Sequence, residues 1–340
     1  MSDSPRKTLQ DVAEAAGLSK AATSYALRGI RVSEETGVRV RAIAAELGYS
    51  VDPIARALAS GRSGNIGIVG ALQDRWRQGL AVMMSQALRE RELSSLIADV
   101  GASPVREQEA LLALTSQRVD GALVLPVDPS AQYWAELPAA LRVVSIGDAL
   151  TQRPDSGSVL FDNEYGVGTA LRHLAELGHR DVGFVAPALP TTPGRPVEVL
   201  AQELGASMGV KVQMAYSSST VTAAERAAHA LLSAEQRPTA LFCLSDAIAF
   251  GALSAARALS LAVPAELSIL GFDDNELAPL VHPGLTTFGW DEQAIVDAAV
   301  LSLTEPASGD RVVFRPVFIE RGSTAVAPGG RAPSRRPAHR

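Results

Sequence analysis

At 340 residues, 47% hydrophobic and 20% charged, the chain is long enough for two or three folded domains and too apolar for wholesale disorder. Its one cysteine, Cys243, excludes an intrachain disulfide and argues against a thiolate zinc site. The first residues lack a signal-peptide-like apolar stretch and no run approaches the roughly 18 apolar residues of a membrane span, so a reducing cytosol is the expected compartment. The net charge of −6 is unevenly spread. Residues 1–62 hold nine Lys/Arg against seven Asp/Glu, residues 63–328 hold 18 against 30, and residues 329–340 hold four Arg and no acid. An acidic body repels nucleic acid, so any polyanion contact belongs to the ends.

Residues 8–50 predict three short helices. Thr8-Leu9-Gln10-Asp11 forms a capping box, and Gly17 stops the first helix where a positive φ is tolerable. Ser19 caps a second helix, Lys20 to Arg28, and Ser33 caps a third, Glu34 to Leu47, with two glutamates in its first turn. Only Gly17-Leu18-Ser19 separates the first two, the spacing of a helix-turn-helix. Asp52-Pro53 and Gly61 then specify the start and stop of a fourth helix of about eight residues. A helix shorter than about 12 residues is marginal in water, so this one is expected to form only when something holds it.

From Ile66 the pattern changes. Eleven short apolar runs, from Ile66–Gly70 to a single long strand at Val312–Ile319, alternate with amphipathic helices such as Asp246–Leu259 and Glu292–Leu303. Continuous apolar strands between helices predict parallel sheets covered on both faces, and about 260 residues is enough for two of them. The expected architecture is α + α/β. It comprises a helix-turn-helix headpiece (1–50), a hinge helix or linker (51–63), two doubly wound α/β subdomains (64–326) and a disordered basic tail (327–340).

These residues resemble the LacI/GalR family of bacterial transcriptional regulators over roughly residues 7–324. The resemblance is carried by Thr8-Leu9-Gln10-Asp11-Val12-Ala13 with Gly17-Leu18-Ser19, by Leu47-Gly48-Tyr49, and by Ile54-Ala55-Arg56-Ala57-Leu58. Further on it rests on Leu177-Gly178-His179-Arg180, Ser245-Asp246 and Ile269-Leu270-Gly271-Phe272-Asp273-Asp274. It implies a periplasmic-binding-protein-like effector domain, a homodimer on a pseudopalindromic DNA operator, and a small molecule, expected to be a sugar or sugar derivative, that controls operator affinity. By the same resemblance Lys20, Ala21 and Tyr25 face base edges. Thr8, Ser19, Ser24, Arg28, Arg31 and Ser33 lie near phosphates, and Tyr49 joins the DNA-contacting set. Ala55 and Leu58 enter the minor groove, with Leu58 as the wedge. Tyr25 stands where the family often has Arg, which leaves either a base reader or a packing residue.

The effector site is expected beyond the carboxyl ends of strands. The residues singled out there are Trp76, Asp148, Arg195 and Asp246. Three have a plainer alternative: Asp246 as a helix cap, Arg195 as a surface group, Trp76 as core. Asp148 lies one position beyond the family's usual acid. His179 reads as structural, and Asp273-Asp274 as a turn. No cofactor, metal or catalytic constellation is expected, so the chain is not read as an enzyme. The alternative is a soluble small-molecule-binding protein without DNA activity, which leaves residues 8–61 without a purpose.

Overall fold

The computed structural model describes residues 7–49, 61–187, 197–218, 220–305 and 311–329. The chain divides at Ser63/Gly64 into two compact units.

The first unit holds α1 (Leu9–Ala16), α2 (Lys20–Leu27) and α3 (Glu34–Glu46). All three predicted caps form: the Thr8, Ser19 and Ser33 hydroxyls accept from the amides of Asp11, Ala22 and Thr36. Each such cap is worth about 1 kcal/mol, a large share of the stability of an eight-residue helix. Val12, Ala16, Ala26, Val40 and Ala44 make the shared core, with Leu18, Leu27 and Tyr49 packed around them.

The second unit contains two parallel sheets. The first has the order β11-β5-β4-β3-β1-β2, from β1 (Asn65–Gly70), β2 (Ser94–Asp99), β3 (Gly121–Leu125), β4 (Arg142–Gly147), β5 (Gly157–Phe161) and β11 (Arg311–Phe314). The second has the order β7-β6-β8-β9, from β6 (Asp181–Pro187), β7 (Lys211–Ser217), β8 (Ala240–Cys243) and β9 (Ser268–Leu270). Side chains alternate across both. Ile68 and Val144 pack toward α4 (Arg75–Glu90) and α11 (Glu292–Thr304), while Val69 and Val143 pack toward α5 (Pro104–Ser116). In the second sheet Phe184 and Phe242 face α7 (Asn163–Glu176) and α8 (Val197–Ser207). Val185 and Leu241 face α9 (Val221–Leu232) and α10 (Asp246–Ala258). A short α6 (Tyr133–Glu136) lies between β3 and β4.

The chain passes between the subdomains three times, at residues 161–163, 289–292 and 314–317. The predicted single strand at 312–319 is therefore two. Arg315-Pro316 breaks it, because proline has no N–H to continue the ladder. β11 joins the first sheet, and β12 (Val317–Ile319) pairs antiparallel with β10 (Thr287–Gly289). A second correction concerns the tail. Ala327 is buried and donates from its amide to the Leu177 carbonyl at 2.8 Å, so folded chain extends past the predicted boundary.

Candidate DNA-reading surface and effector cleft

Lys20 and Ala21 lie exposed on the first turn of α2, where a recognition helix carries its base-reading side chains. Thr23 and Ala26, on the opposite face, are fully buried. Ser24 and Tyr25 are half-buried, while Arg28 and Arg31 are exposed. The capping role limits what the hydroxyls can offer a phosphate. Thr8 both accepts from the Asp11 amide and donates to the Asp11 carboxylate at 2.8 Å. The Thr8 backbone amide also donates to that carboxylate at 2.7 Å, and the two bonds it receives from Thr8, the backbone one first, hold the Asp11 carboxyl below its usual range. Ser33 shares its hydroxyl with Thr36 at 2.9 Å. Ser19 accepts one amide and keeps its proton for another partner. Tyr49 packs on the headpiece core.

In the second unit the parallel strands end on one cleft. Its wall in the first subdomain is Leu125-Pro126 at the end of β3, Ile146 to Asp148 at the end of β4, and Asp74, Trp76 and Arg77 at the start of α4. The other wall includes Pro187, Leu244-Ser245 and Phe272-Asp273, again at strand carboxyl ends. Phe161 and Trp290, both on crossover segments, form the floor at a ring separation of 4.5 Å. Trp76 leans on Phe161 at 5.5 Å and Phe272 meets Trp290 at 5.7 Å. The result is an apolar floor rimmed by carboxylates and one guanidinium, a combination that takes a small polar ligand with one flat face.

Residues 8–52 match the bacterial regulatory proteins of the lacI family, and residues 171–324 match the periplasmic binding protein-like domain. The HTH-type transcriptional repressor PurR of Pectobacterium carotovorum subsp. carotovorum is 30% identical, over 94% of this chain and 98% of its own. The ribose operon repressor of Haemophilus influenzae is 28% identical, over 92% and 96%. The crystal structure of the lac repressor dimer bound to operator and the anti-inducer ONPF superposes with a TM-score of 0.76 at 25% identity, covering 94% of this chain and 99% of that one. This chain belongs to the lacI family.

As a lacI-family member it is a DNA-binding transcriptional repressor under small-molecule control, not an enzyme. Of the four predicted effector residues, Trp76 and Asp148 line the cleft, and Arg195 lies outside the described residues, as do Ala55 and Leu58. Asp246 corrects the reading. It is 1% exposed, and both carboxylate oxygens are occupied, one accepting from the Thr287 hydroxyl at 2.6 Å and the other from the Asn275 amide at 2.7 Å. Burial pushes its carboxyl up to about 7. A Cβ on Gly271 would collide with the same carboxylate, so only glycine fits there. Asp246 therefore fastens the segment that carries Asp273, and Asp273 is the residue on the cleft wall.

Asp273 adopts a left-handed φ of 109°, a strain of about 1–3 kcal/mol that the Asp246 clamp helps to hold. Burial, then the neighbouring Asp74 and Asp246 carboxylates, raise its own carboxyl well above the usual range, with Arg77 pulling the other way. Glu107 went unseen in the sequence as well. Fully buried in α5, it accepts from the Val127 amide at 2.9 Å and from the Tyr133 hydroxyl, fixing the loop behind Pro126. The signal that finds Asp273 is its place just past the carboxyl end of β9, three residues after Leu270; the two-aspartate composition alone reads as a turn.

Proposed function

We propose that the chain represses transcription in the cytoplasm as a homodimer on a pseudopalindromic operator, and that its effector is an uncharged sugar or sugar derivative held in the cleft. The observation that carries the ligand class is the pairing of an aromatic floor with Asp148 and Asp273 on opposite walls. Aromatic faces take the apolar face of a sugar ring, and carboxyl groups fix its hydroxyls. Burial and the neighbouring carboxylates push the Asp273 carboxyl toward its neutral form, which can both donate and accept toward hydroxyls. Helix N-termini at a cleft ordinarily collect anions. Here those of α4 and α7 are already capped by Asp74 and Asp162, which lowers their appeal to a phosphate.

On the DNA side, Lys20 and Ala21 take the major groove, Ser19, Ser24, Arg28 and Arg31 the backbone, and Ala55 and Leu58 the minor groove, with Tyr25 packed beside Arg28 and Arg31. Thr8, Ser33 and Tyr49 support that surface through their caps and packing. Dimer pairing finds support in Leu280, 75% exposed, and in Leu277 and Val221, also exposed.

Fluorescence anisotropy tests both halves. Duplexes enriched from a random pool are titrated with protein, with and without each member of a panel of neutral sugars and their phosphates. Affinity that changes by tenfold or more with one neutral sugar is the expected result. Response to a sugar phosphate alone would overturn the ligand class, and failure to enrich any duplex would overturn the DNA reading.

A further inference from the structure

The departure at Tyr25 has a geometry that the rest of the headpiece does not explain. Residues 25 and 28 sit three apart on α2 and its C-cap, hence on one face. The Arg28 guanidinium lies 5.3 Å from the centre of the Tyr25 ring, and that of Arg31 lies 5.4 Å from it. Arg28 is pinned further by its Nε, which donates to the Ser24 carbonyl at 3.2 Å. Arg31 reaches the ring from a left-handed backbone, φ 57°, which a side-chain-bearing residue rarely adopts. Among the described residues neither guanidinium is paired with a carboxylate. Two cations are thus gathered on one half-buried ring without a counter-ion. Like charges repel, so the arrangement suits an anion that both can reach.

We propose that Tyr25 is a positioning residue whose ring gathers Arg28 and Arg31 into one cationic site for an operator phosphate, instead of reading a base through its hydroxyl. The proposal rests on the DNA-binding reading above. A phosphate between two guanidiniums receives several N–H donors in fixed planes, and the ring supplies a face on which the planes are held before DNA arrives. Such a contact sets register and adds to the salt dependence of binding without selecting sequence.

The test uses the full chain and duplexes enriched from a random pool by the wild type. Wild type, Tyr25→Phe, Tyr25→Leu, Arg31→Gln and the Tyr25→Leu/Arg31→Gln double variant are titrated against enriched and random duplex at several salt concentrations. Leucine fills the half-buried space without a π face, so the fold is kept, and thermal unfolding checks this. Tyr25→Phe is expected to keep the enriched sequence and to bind within about twofold of wild type. Tyr25→Leu is expected to weaken binding about five- to tenfold, equally on both duplexes, with the salt slope reduced by about one. Arg31→Gln should do the same, and the double variant should be little worse than either single one. A changed base preference in Tyr25→Phe, an unchanged salt slope in both Tyr25→Leu and Arg31→Gln, or fully additive losses would overturn the proposal. If wild type enriches no duplex, the DNA reading itself fails, a result distinct from each of these.

Discussion

The division of labour between Asp246 and Asp273 is set by where two oxygens find donors. Asp246 has both satisfied inside the protein; Asp273 faces the cleft. Asp273→Asn is therefore expected to abolish the sugar response while leaving operator affinity and melting temperature near wild type. Asp246→Ala should instead cost about 2–3 kcal/mol, because it strands the Thr287 hydroxyl and the Asn275 amide in a buried site. Asp246 also has a pH signature. Its carboxyl is raised to about 7 in the folded state, above its unfolded value, so between roughly pH 4 and 7 the folded chain holds a proton that the unfolded chain has lost. Stability falls as pH rises through that window and levels off above it. Comparing urea melts at pH 5 and pH 8 checks this: Asp246→Asn should lose part of the difference, and an identical difference in both proteins would contradict it.

Among the elements, the headpiece helices were legible because their boundaries are written in local chemistry: a hydroxyl three residues before an amide, a glycine at a positive φ. The parallel strands were legible from runs that are buried on both faces. What escaped depends on partners distant in sequence. The break at Arg315-Pro316 shows only when β11 and β12 are seen to enter different sheets, and Asp246 finds its donors 29 and 41 residues away. His179, read as structural, bonds at 2.8 Å to the Thr239 hydroxyl, at 3.0 Å to the Ser268 hydroxyl and at 3.1 Å to the Ala325 carbonyl. It thereby ties the last described segment to the second sheet. Burial holds its imidazole below the usual range. The unfolded chain takes up a proton below about pH 6.5 that the folded chain resists, so this group removes stability as pH falls through that point. His179→Ala should cost about 2–3 kcal/mol in denaturant melts at neutral pH, the loss expected for opening a buried hydrogen-bond network. It should also flatten the acid side of the stability profile.

Across the whole molecule, an acidic body and a small basic head make binding depend on a few well-placed contacts. The proposed minor-groove wedge is the most exacting of them. Leu58→Ala is expected to weaken binding to the enriched duplex by tenfold or more while changing affinity for random duplex by less than threefold, since unstacking is repaid only on a bent site. Parallel anisotropy titrations measure both, and equal losses would assign Leu58 to the fold.

The crossover floor has one practical outcome. Of the three tryptophans, Trp134 is sealed within the first subdomain, whereas Trp76 and Trp290 border the cleft. A guest seated on those indoles alters their surroundings directly, while Trp134 supplies a steady background. Intrinsic emission is thus a label-free gauge of occupancy, and because Trp290 rides on a connecting segment, its colour reports from the joint where the chain passes between the two sheets.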